Sequence, residues 1–316
     1  ENIRNKMKQT ITLFIFFLIT ISVSSQTIYS KAFGDPSNEP LIYLHGGPGY
    51  NSIGFEITTA EKLSENGFFV VVYDRRGEGR SSDENAKFTF EETFDDLDAI
   101  YTKFNLEDAT LIGHSFGGVV GTLYAEEYPN KIKSLVLIAA PLSIQETLST
   151  IIKTSKSIYE SNNDSTNLKY IGMLETMDKN SLEYSSYSFG HAMQNGFYTP
   201  KTPSKEALAI YTKLKTDTLF KNKDAKMTME APKGFWENEK YTSINLTQNL
   251  KNVLKHKIEI FGLYGTEDGL YSKVHVEKIK GIIPKNNLKY MENCSHNVFI
   301  DQQNQFITSL KTWIHF

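Results

Sequence analysis

The pentapeptide Gly113-His114-Ser115-Phe116-Gly117 follows the apolar run Ala109-Thr110-Leu111-Ile112 and leads into a helix-like stretch, Gly118 to Tyr128. A serine between two glycines at a strand-to-helix junction leaves the backbone few options. The turn is so tight that residues on both sides of the serine must lack side chains. It lifts the hydroxyl clear of the sheet and aims the amides at the start of the next helix toward the same point. Small-residue turns of this kind also arise in unrelated chains, so the pentapeptide needs further signals before it implies chemistry.

Those signals recur along the chain. Leu41 to Leu44 reads as a buried strand and runs into His45-Gly46-Gly47-Pro48-Gly49. Phe68 to Tyr73 runs into Asp74-Arg75-Arg76-Gly77-Glu78-Gly79-Arg80-Ser81-Ser82. Ser134 to Ile138 is a further strand, and Ile258 to Tyr264 ends at Gly265-Thr266-Glu267-Asp268. Leu288 to Met291 leads to Cys294-Ser295-His296. Each chemistry-bearing residue stands just past the C-terminal end of a strand, the edge at which open α/β sheets build their sites. Helical periodicity fills the intervals Glu56 to Asn66, Phe90 to Phe104, Lys273 to Ile282 and Val298 to Trp313, with a capping box at Thr89-Phe90-Glu91-Glu92. Strands alternating with amphipathic helices predict an α/β fold, a parallel sheet covered on both faces. Thr27 to Ala32 alternates as a strand, and the turn at Gly34-Asp35-Pro36 predicts a hairpin with Leu41 to Leu44. From Leu142 to Leu250 the pattern is helical without a strong strand, and it is rich in Lys, Asn, Thr and aromatic residues, among them Tyr184, Tyr187, Phe189, Phe197, Tyr198, Phe235, Trp236 and Tyr241.

With these motifs in hand, the chain resembles the α/β-hydrolase superfamily, and within it the prolyl-aminopeptidase-like serine hydrolases. Those proteins carry H-G-G-P-G, a D-x-R-G-x-G-R-S loop and G-x-S-x-G-G. The matches here are His45 to Gly49, Asp74 to Ser81 with Arg76 at the R position, and Gly113 to Gly118. The resemblance spans roughly Ile28 to Pro141 and Leu254 to Phe316. It implies the α/β-hydrolase fold: a mostly parallel central sheet with helices on both faces, built from residues 26–141 and 251–316, with a helical cap inserted at 142–250. Most of the cap's aromatic residues are expected to hold the cap together, and a few to line a pocket.

The resemblance also implies roles. Ser115 is the nucleophile, which requires a base at neutral pH. His296, on a loop after a strand and a polar turn, is that base. Asp268 orients the imidazole, with Glu267 as the adjacent alternative. The oxyanion hole draws on the Phe116 N–H and on the His45–Pro48 turn, through Gly47 or else Gly46. The Asp74–Arg80 loop braces that turn through charge-assisted hydrogen bonds. Prolyl aminopeptidases bind the substrate's amine with cap acids in a W-E and an E-N-x-Y-like element. Trp236-Glu237-Asn238-Glu239-Lys240-Tyr241 resembles the second and makes Glu237, Trp236 and Glu239 candidate substrate-binding residues; the first has no counterpart. No metal cluster, phosphate loop or dinucleotide fingerprint is present, so no cofactor is expected.

The N-terminal stretch is read separately. Arg4, Lys6 and Lys8 precede an apolar run, Ile11 to Val23, which ends in Ser24-Ser25-Gln26. A basic start, a short apolar run and small residues at the exit describe an export signal. The run is short for a membrane span of about 20 residues, an uncleaved anchor being the alternative. Met7 reads as the start and Ser25 as the last residue before cleavage. The net charge of −3 disfavours nucleic acid and anionic membranes as partners. Cys294 is the only cysteine, so an intrachain disulfide is impossible, and export without disulfides is compatible with a bacterial periplasm.

These readings converge on an exported serine hydrolase acting through an acyl-enzyme on a small-molecule or short-peptide substrate. An aminopeptidase favouring N-terminal proline is the sharpest form. A carboxylic ester hydrolase is the alternative, and a non-catalytic binding protein on the same fold is the rival of a different class. Protein recovered from a bacterial host that exports it is expected to begin at Gln26, within a residue or two, by N-terminal sequencing. Recovery of soluble, active cytoplasmic protein beginning at Met7 would contradict the export reading.

Overall fold

The computed structural model describes residues 28–314; the segment read as an export signal lies outside the described residues. Seven strands form one sheet in the order β1-β3-β2-β4-β5-β6-β7. They are β1 (Ser30–Phe33), β2 (Glu39–Leu44), β3 (Phe68–Tyr73), β4 (Ala109–His114), β5 (Ile132–Ile138), β6 (Glu259–Gly265) and β7 (Leu288–Met291). All neighbours are parallel except β1 and β3. Strands β3 and β4 are buried along their whole length. That is why their sequences read as continuous apolar or β-branched runs rather than as alternation.

The expected hairpin between the first strand and Leu41–Leu44 does not form. Strand β1 instead pairs antiparallel with β3, Ser30 opposite Tyr73 and Phe33 opposite Val70. Both edges of β2 are already occupied, by β3 and by β4, so β1 pairs at the outer edge of β3 instead. The turn after β1 is closed by Asp35, whose carboxylate accepts the Ser37 N–H at 2.9 Å.

Helices connect the strands as the periodicity predicts, with shifted ends. The first helical stretch begins at Ile53 and passes through a π-helical turn, Glu56–Ala60. The capping box at Thr89 is half formed. Thr89 Oγ1 accepts the Glu92 N–H, but the Glu92 carboxylate turns to the N–H groups of Lys87 and Phe88. The last helical region breaks at Gln302 into Val298–Asp301 and Gln303–Trp313.

Between β5 and β6 the chain is helical from Ile144–Ser161 to Thr247–Lys255. Ser143, Asp164, Ser181 and Ser204 each accept an N–H three residues on, which starts four of these helices. A neck ties the ends of the insertion together: Leu246 N–H donates to Leu142 O and Ile144 N–H to Ile244 O. The insertion has a small apolar core of its own around Leu148, Ile171 and Tyr184. It rests on the loops at the C-terminal edge of the sheet, where Phe197 O accepts from Gly269 N–H and from Ser295 Oγ, and Thr228 N–H donates to Gly49 O.

One contact places the β4 edge against the next helix. A Cβ on Gly117 would lie 2.0 Å from Leu44 O, and one on Gly113 would lie 2.6 Å from Gly117 O. The helix Phe116–Glu127 can approach β2 this closely only with glycine there. Gly117→Ala is therefore expected to cost about 1–3 kcal/mol, the usual range for overpacking. Gly172, in the helix Ser165–Glu175, has nothing within 4 Å of its missing Cβ. There Gly→Ala is expected to stabilise by about 0.5–1 kcal/mol. Denaturant unfolding of both variants checks the pair, and equal effects would contradict the packing argument.

Candidate active site

Ser115 sits at the turn between β4 and the helix Phe116–Glu127, with φ 53° and ψ −121°. A non-glycine residue in this sparsely populated region costs roughly 1–3 kcal/mol and persists only where its surroundings enforce it. The enforcement is visible. Ser115 N–H donates to Ile138 O of β5, Ser115 O accepts the Gly118 N–H, and the close-packed glycines hold the helix against the sheet. The side chain is half-buried. Gly46 lies against it, since a Cβ there would come within 3.2 Å of Ser115 Cβ. The Tyr271 side chain is a close neighbour of it.

His296 and Asp268 are brought together from the loops after β7 and β6. His296 Nδ1 and Asp268 Oδ2 are 2.8 Å apart, and both residues are buried. The second carboxylate oxygen of Asp268 accepts the Leu270 N–H at 2.9 Å. The acid is thus oriented from two sides and presents one oxygen to the imidazole. Glu267 takes a different partner: its carboxylate accepts the Lys201 N–H at 2.8 Å, which ties the insertion to the β6 loop. Tyr198 stands edge-on to the His296 ring at 5.2 Å, and the Tyr271 ring lies 5.9 Å from it. His114 closes the underside, its Nε2 3.1 Å from His296 O and its Nδ1 3.4 Å from the Tyr43 hydroxyl. Burial, followed by the neighbouring His296, pushes the pKa of His114 down to about 3. His114 is therefore a neutral strut under the His296 loop.

The turn after β2 is held by a buried guanidinium. Arg75 Nη1 donates to His45 O at 2.5 Å and Nη2 to Gly46 O at 2.6 Å. Glu78 balances the charge, with Arg75 Nη2 donating to Oε2 at 2.8 Å. Burial raises the pKa of Glu78, while the attraction of Arg75 opposes that rise. The Arg75 N–H donates to His45 Nε2, so His45 carries its proton on Nδ1 and donates it to Gly46 O at 2.9 Å. Because C=O and N–H point opposite ways across a trans peptide, fixing the His45 and Gly46 carbonyls on Arg75 turns the N–H groups of Gly46 and Gly47 away from it. The Phe116 N–H is the first of its helix and has no intrahelical acceptor.

The motif match singles out Arg76 at the R position, yet Arg75 holds the turn, while Arg76 reaches away to Asp96 and Asp83. Asp74 braces the start of the same loop. Burial works against its charge, but Arg80 and Ser52 outweigh that and hold its pKa below the usual carboxylate value.

The structure does not bring the three cap residues to Ser115. Glu237 is half exposed and lies 3.8 Å from Lys233, one helical turn back. Glu239 accepts the Phe90 N–H at 2.7 Å, at the first turn of the helix Phe90–Lys103. Trp236 donates its indole N–H to Asn180 O at 2.7 Å. These positions are set by helix Glu230–Glu239, which turns Phe235, not Trp236 or Glu237, toward Phe116. Tyr241 also meets Phe116, whereas Tyr187 faces outward.

Arg75 falls within the Asp74–Arg80 segment read as the brace of this turn, while two residues near the site lay beyond sequence reasoning: Tyr271 and Asp301. Asp301 Oδ2 accepts the Ser295 N–H at 2.8 Å, and Oδ1 accepts the Tyr211 hydroxyl at 2.7 Å. It links the insertion's helix Lys205–Thr216 to the residue before His296. Burial raises the pKa of Asp301 to about 6, against the pull of its two donors. A carboxylate five residues past a loop histidine is a local signal for such a brace; Tyr271 has none. Among the described residues, no group of three His, Cys, Asp or Glu side chains is arranged to hold a metal ion.

Comparison with known proteins places this geometry in context. The profile of the family described as alpha/beta hydrolase fold matches residues 39–303. The proline iminopeptidase of Lacticaseibacillus rhamnosus is 25% identical over 303 residues, covering 90% of this chain and 94% of that one. A proline iminopeptidase-related protein from Thermus thermophilus shares the fold at a TM-score of 0.66 and 18% identity, over 92% of this chain and 94% of that chain. An esterase from Exiguobacterium antarcticum does so at 0.59 and 18%, over 90% and 94%. A profile match across most of the length, on a sheet of the same architecture, establishes that this chain belongs to the α/β hydrolase fold family and is a hydrolase.

Proposed function

We propose that the chain is a serine hydrolase that cleaves small carboxylic esters through an acyl-enzyme on Ser115. The observation that carries this reading is the 2.8 Å contact between His296 Nδ1 and Asp268 Oδ2, at the same sheet edge as a serine in a strained turn. A carboxylate on Nδ1 fixes the imidazole with its proton there, so Nε2 is the basic nitrogen. Ser115 Oγ attacks the carbonyl carbon and its proton passes to His296 Nε2. The oxyanion that forms is held by the N–H groups of Phe116 and Gly47, with Gly46 as the neighbouring donor. Collapse breaks the bond to the leaving oxygen, which takes the proton from His296. Water, deprotonated by His296, then attacks the acyl carbon; the bond from the acyl carbon to Ser115 Oγ breaks and His296 returns the proton to Oγ.

A second reading, an aminopeptidase acting on N-terminal proline, is favoured by the relatedness to the Lacticaseibacillus rhamnosus enzyme. It calls for a carboxylate near the site to offset the desolvation of the substrate's ammonium. Glu237 and Glu239 are spent elsewhere, on Lys233 and on the Phe90 N–H, which favours the ester. Export, resting on residues 1–25, remains part of the proposal.

Ser115→Ala, His296→Ala and Asp268→Asn are each expected to lower kcat on a short-chain ester by about three orders of magnitude or more, with combined variants losing little further. Glu237→Gln is expected to change kcat/KM by less than about twofold on both an acetyl ester and a prolyl amide. A tenfold loss confined to the amide would restore the aminopeptidase reading.

Asp301 gives a pH test. Its pKa is raised from 3.8 to about 6 in the folded chain, so the folded state binds this proton more tightly than the unfolded one. The associated stability is complete below pH ~4 and disappears as pH rises through ~6. Asp301→Asn cannot titrate. The stability of the wild type relative to Asp301→Asn is therefore expected to fall by about 1–3 kcal/mol between pH 4 and 7.5. A difference independent of pH, by denaturant unfolding, would contradict it.

A further inference from the structure

His296 is flanked on both sides by residues tied to the insertion. Before it, Ser295 Oγ donates to Phe197 O at 2.8 Å; after it, Asn297 Nδ2 donates to Tyr198 O at 3.3 Å. The β6 loop, which carries Asp268, is tied to the same stretch. Gly269 N–H donates to Phe197 O at 3.2 Å, and Lys201 N–H donates to the Glu267 carboxylate at 2.8 Å. A further tie comes from the helix Lys205–Thr216. Tyr211 donates its hydroxyl to Asp301 Oδ1 at 2.7 Å, and Asp301 Oδ2 accepts the Ser295 N–H at 2.8 Å. Of these ties, only Tyr211–Asp301 joins two side chains, so both partners can be altered there without touching the backbone.

Asp301 and Ser295 are both buried. Without the carboxylate, the Ser295 N–H is a buried donor with no acceptor, and such a group costs its full desolvation. The loop escapes that cost by turning the peptide between Cys294 and Ser295 toward another acceptor. That peptide is one residue from the imidazole, so its rotation re-aims the ring that must take the Ser115 proton. Tyr211 acts at one remove. Its hydroxyl occupies one carboxylate oxygen and leaves the other to Ser295, much as the Leu270 N–H occupies one oxygen of Asp268 and leaves the other to His296.

We propose that Asp301 and Tyr211 are positioning residues for His296: the carboxylate fixes the peptide that precedes the imidazole, and the Tyr211 hydroxyl fixes the carboxylate, so that the insertion helps to aim the base at Ser115. The inference rests on the serine-hydrolase reading. It assigns the insertion a part in the proton transfer itself, separate from any contact with substrate.

The test measures kcat and KM on p-nitrophenyl acetate at neutral pH for Asp301→Ala, Asp301→Asn, Tyr211→Phe and the double variant Tyr211→Phe/Asp301→Ala. Rates are expressed per active site, counted by end-point labelling with a fluorophosphonate. Asp301→Ala is expected to lower kcat by about tenfold or more with KM changed by less than about twofold, as for a reacting group set out of line from a distance. Asp301→Asn keeps an acceptor for the Ser295 N–H and is expected to restore kcat to within about threefold of the wild type. Tyr211→Phe is expected to lower kcat by about fivefold in the wild type and to have no further effect in Asp301→Ala, because it acts through that carboxylate. A purely structural role would instead give fewer labelled sites and lower stability in denaturant with kcat per site unchanged, and that result would overturn the proposal. So would a loss carried by KM, an Asp301→Asn as slow as Asp301→Ala, or a Tyr211→Phe loss that persists undiminished in Asp301→Ala. If Asp301→Ala does not fold, Tyr211→Phe decides alone: it removes one hydroxyl, and an unchanged kcat would overturn the proposal. A wild type that neither labels nor turns over the ester would overturn the hydrolase reading, and the positioning roles with it.

Discussion

Everything at the candidate site is referred to one close approach, that of the helix Phe116–Glu127 to the sheet at Leu44. With 2.0 Å between Leu44 O and the position a Cβ would take on Gly117, the helix start packs so closely on β2 that only glycine fits there. Ser115 is then confined to a backbone conformation it would not choose. Its N–H is taken by β5 and its carbonyl by Gly118. Strain at one residue is sustained because β2, β4 and β5 are buried and cannot yield. The turn after β2 shares the same anchor, because Leu44 leads directly into His45 and Gly46.

Charge buried beneath that turn is the second requirement. The His45 carbonyl would lose its donor if the Arg75 guanidinium were absent, leaving Gly46 O with His45 Nδ1–H alone, and Arg75 would be an unpaired buried cation if Glu78 were absent. The group works because each member satisfies another, and because Glu78 is only three residues from Arg75 within a single tight loop. Asp74 and Arg80 form a second closed set beside it, with Arg80 also over the Tyr29 ring and against Glu56. Two separate charged groups thus fix one loop, Arg75 to the carbonyls after β2 and Arg80 to Glu56 in the helical stretch before β3.

The insertion is joined to this platform by polar contacts at defined points rather than by a broad apolar interface alone. Phe197 O, Tyr198 O and the Tyr211 hydroxyl all meet residues within a short reach of His296. The loop that carries the imidazole is therefore shared between the core and the insertion. Its position depends on both, and Asp301 is where the two meet.

The sequence by itself determined what depends on neighbours within a few residues. The buried runs became β2 to β7, the serines and aspartates before apolar periodicity became helix caps, and the glycines around Ser115 became a strand-to-helix turn. The order of Ser115, Asp268 and His296 along the chain already implied that three strand ends would meet, and the fold brings those ends to one edge. What the tertiary structure alone decided are choices between local equivalents. The partner of β1 depended on which sheet edge was left open. Arg75 rather than Arg76 holds the turn because the peptide between them points the two side chains to different sides of the loop, one into the protein and one toward Asp96. Glu239 went to the Phe90 N–H, 149 residues away, and Tyr271 to Ser115, across the whole insertion. No local pattern encodes contacts of that separation, because they are selected by packing once the elements have formed.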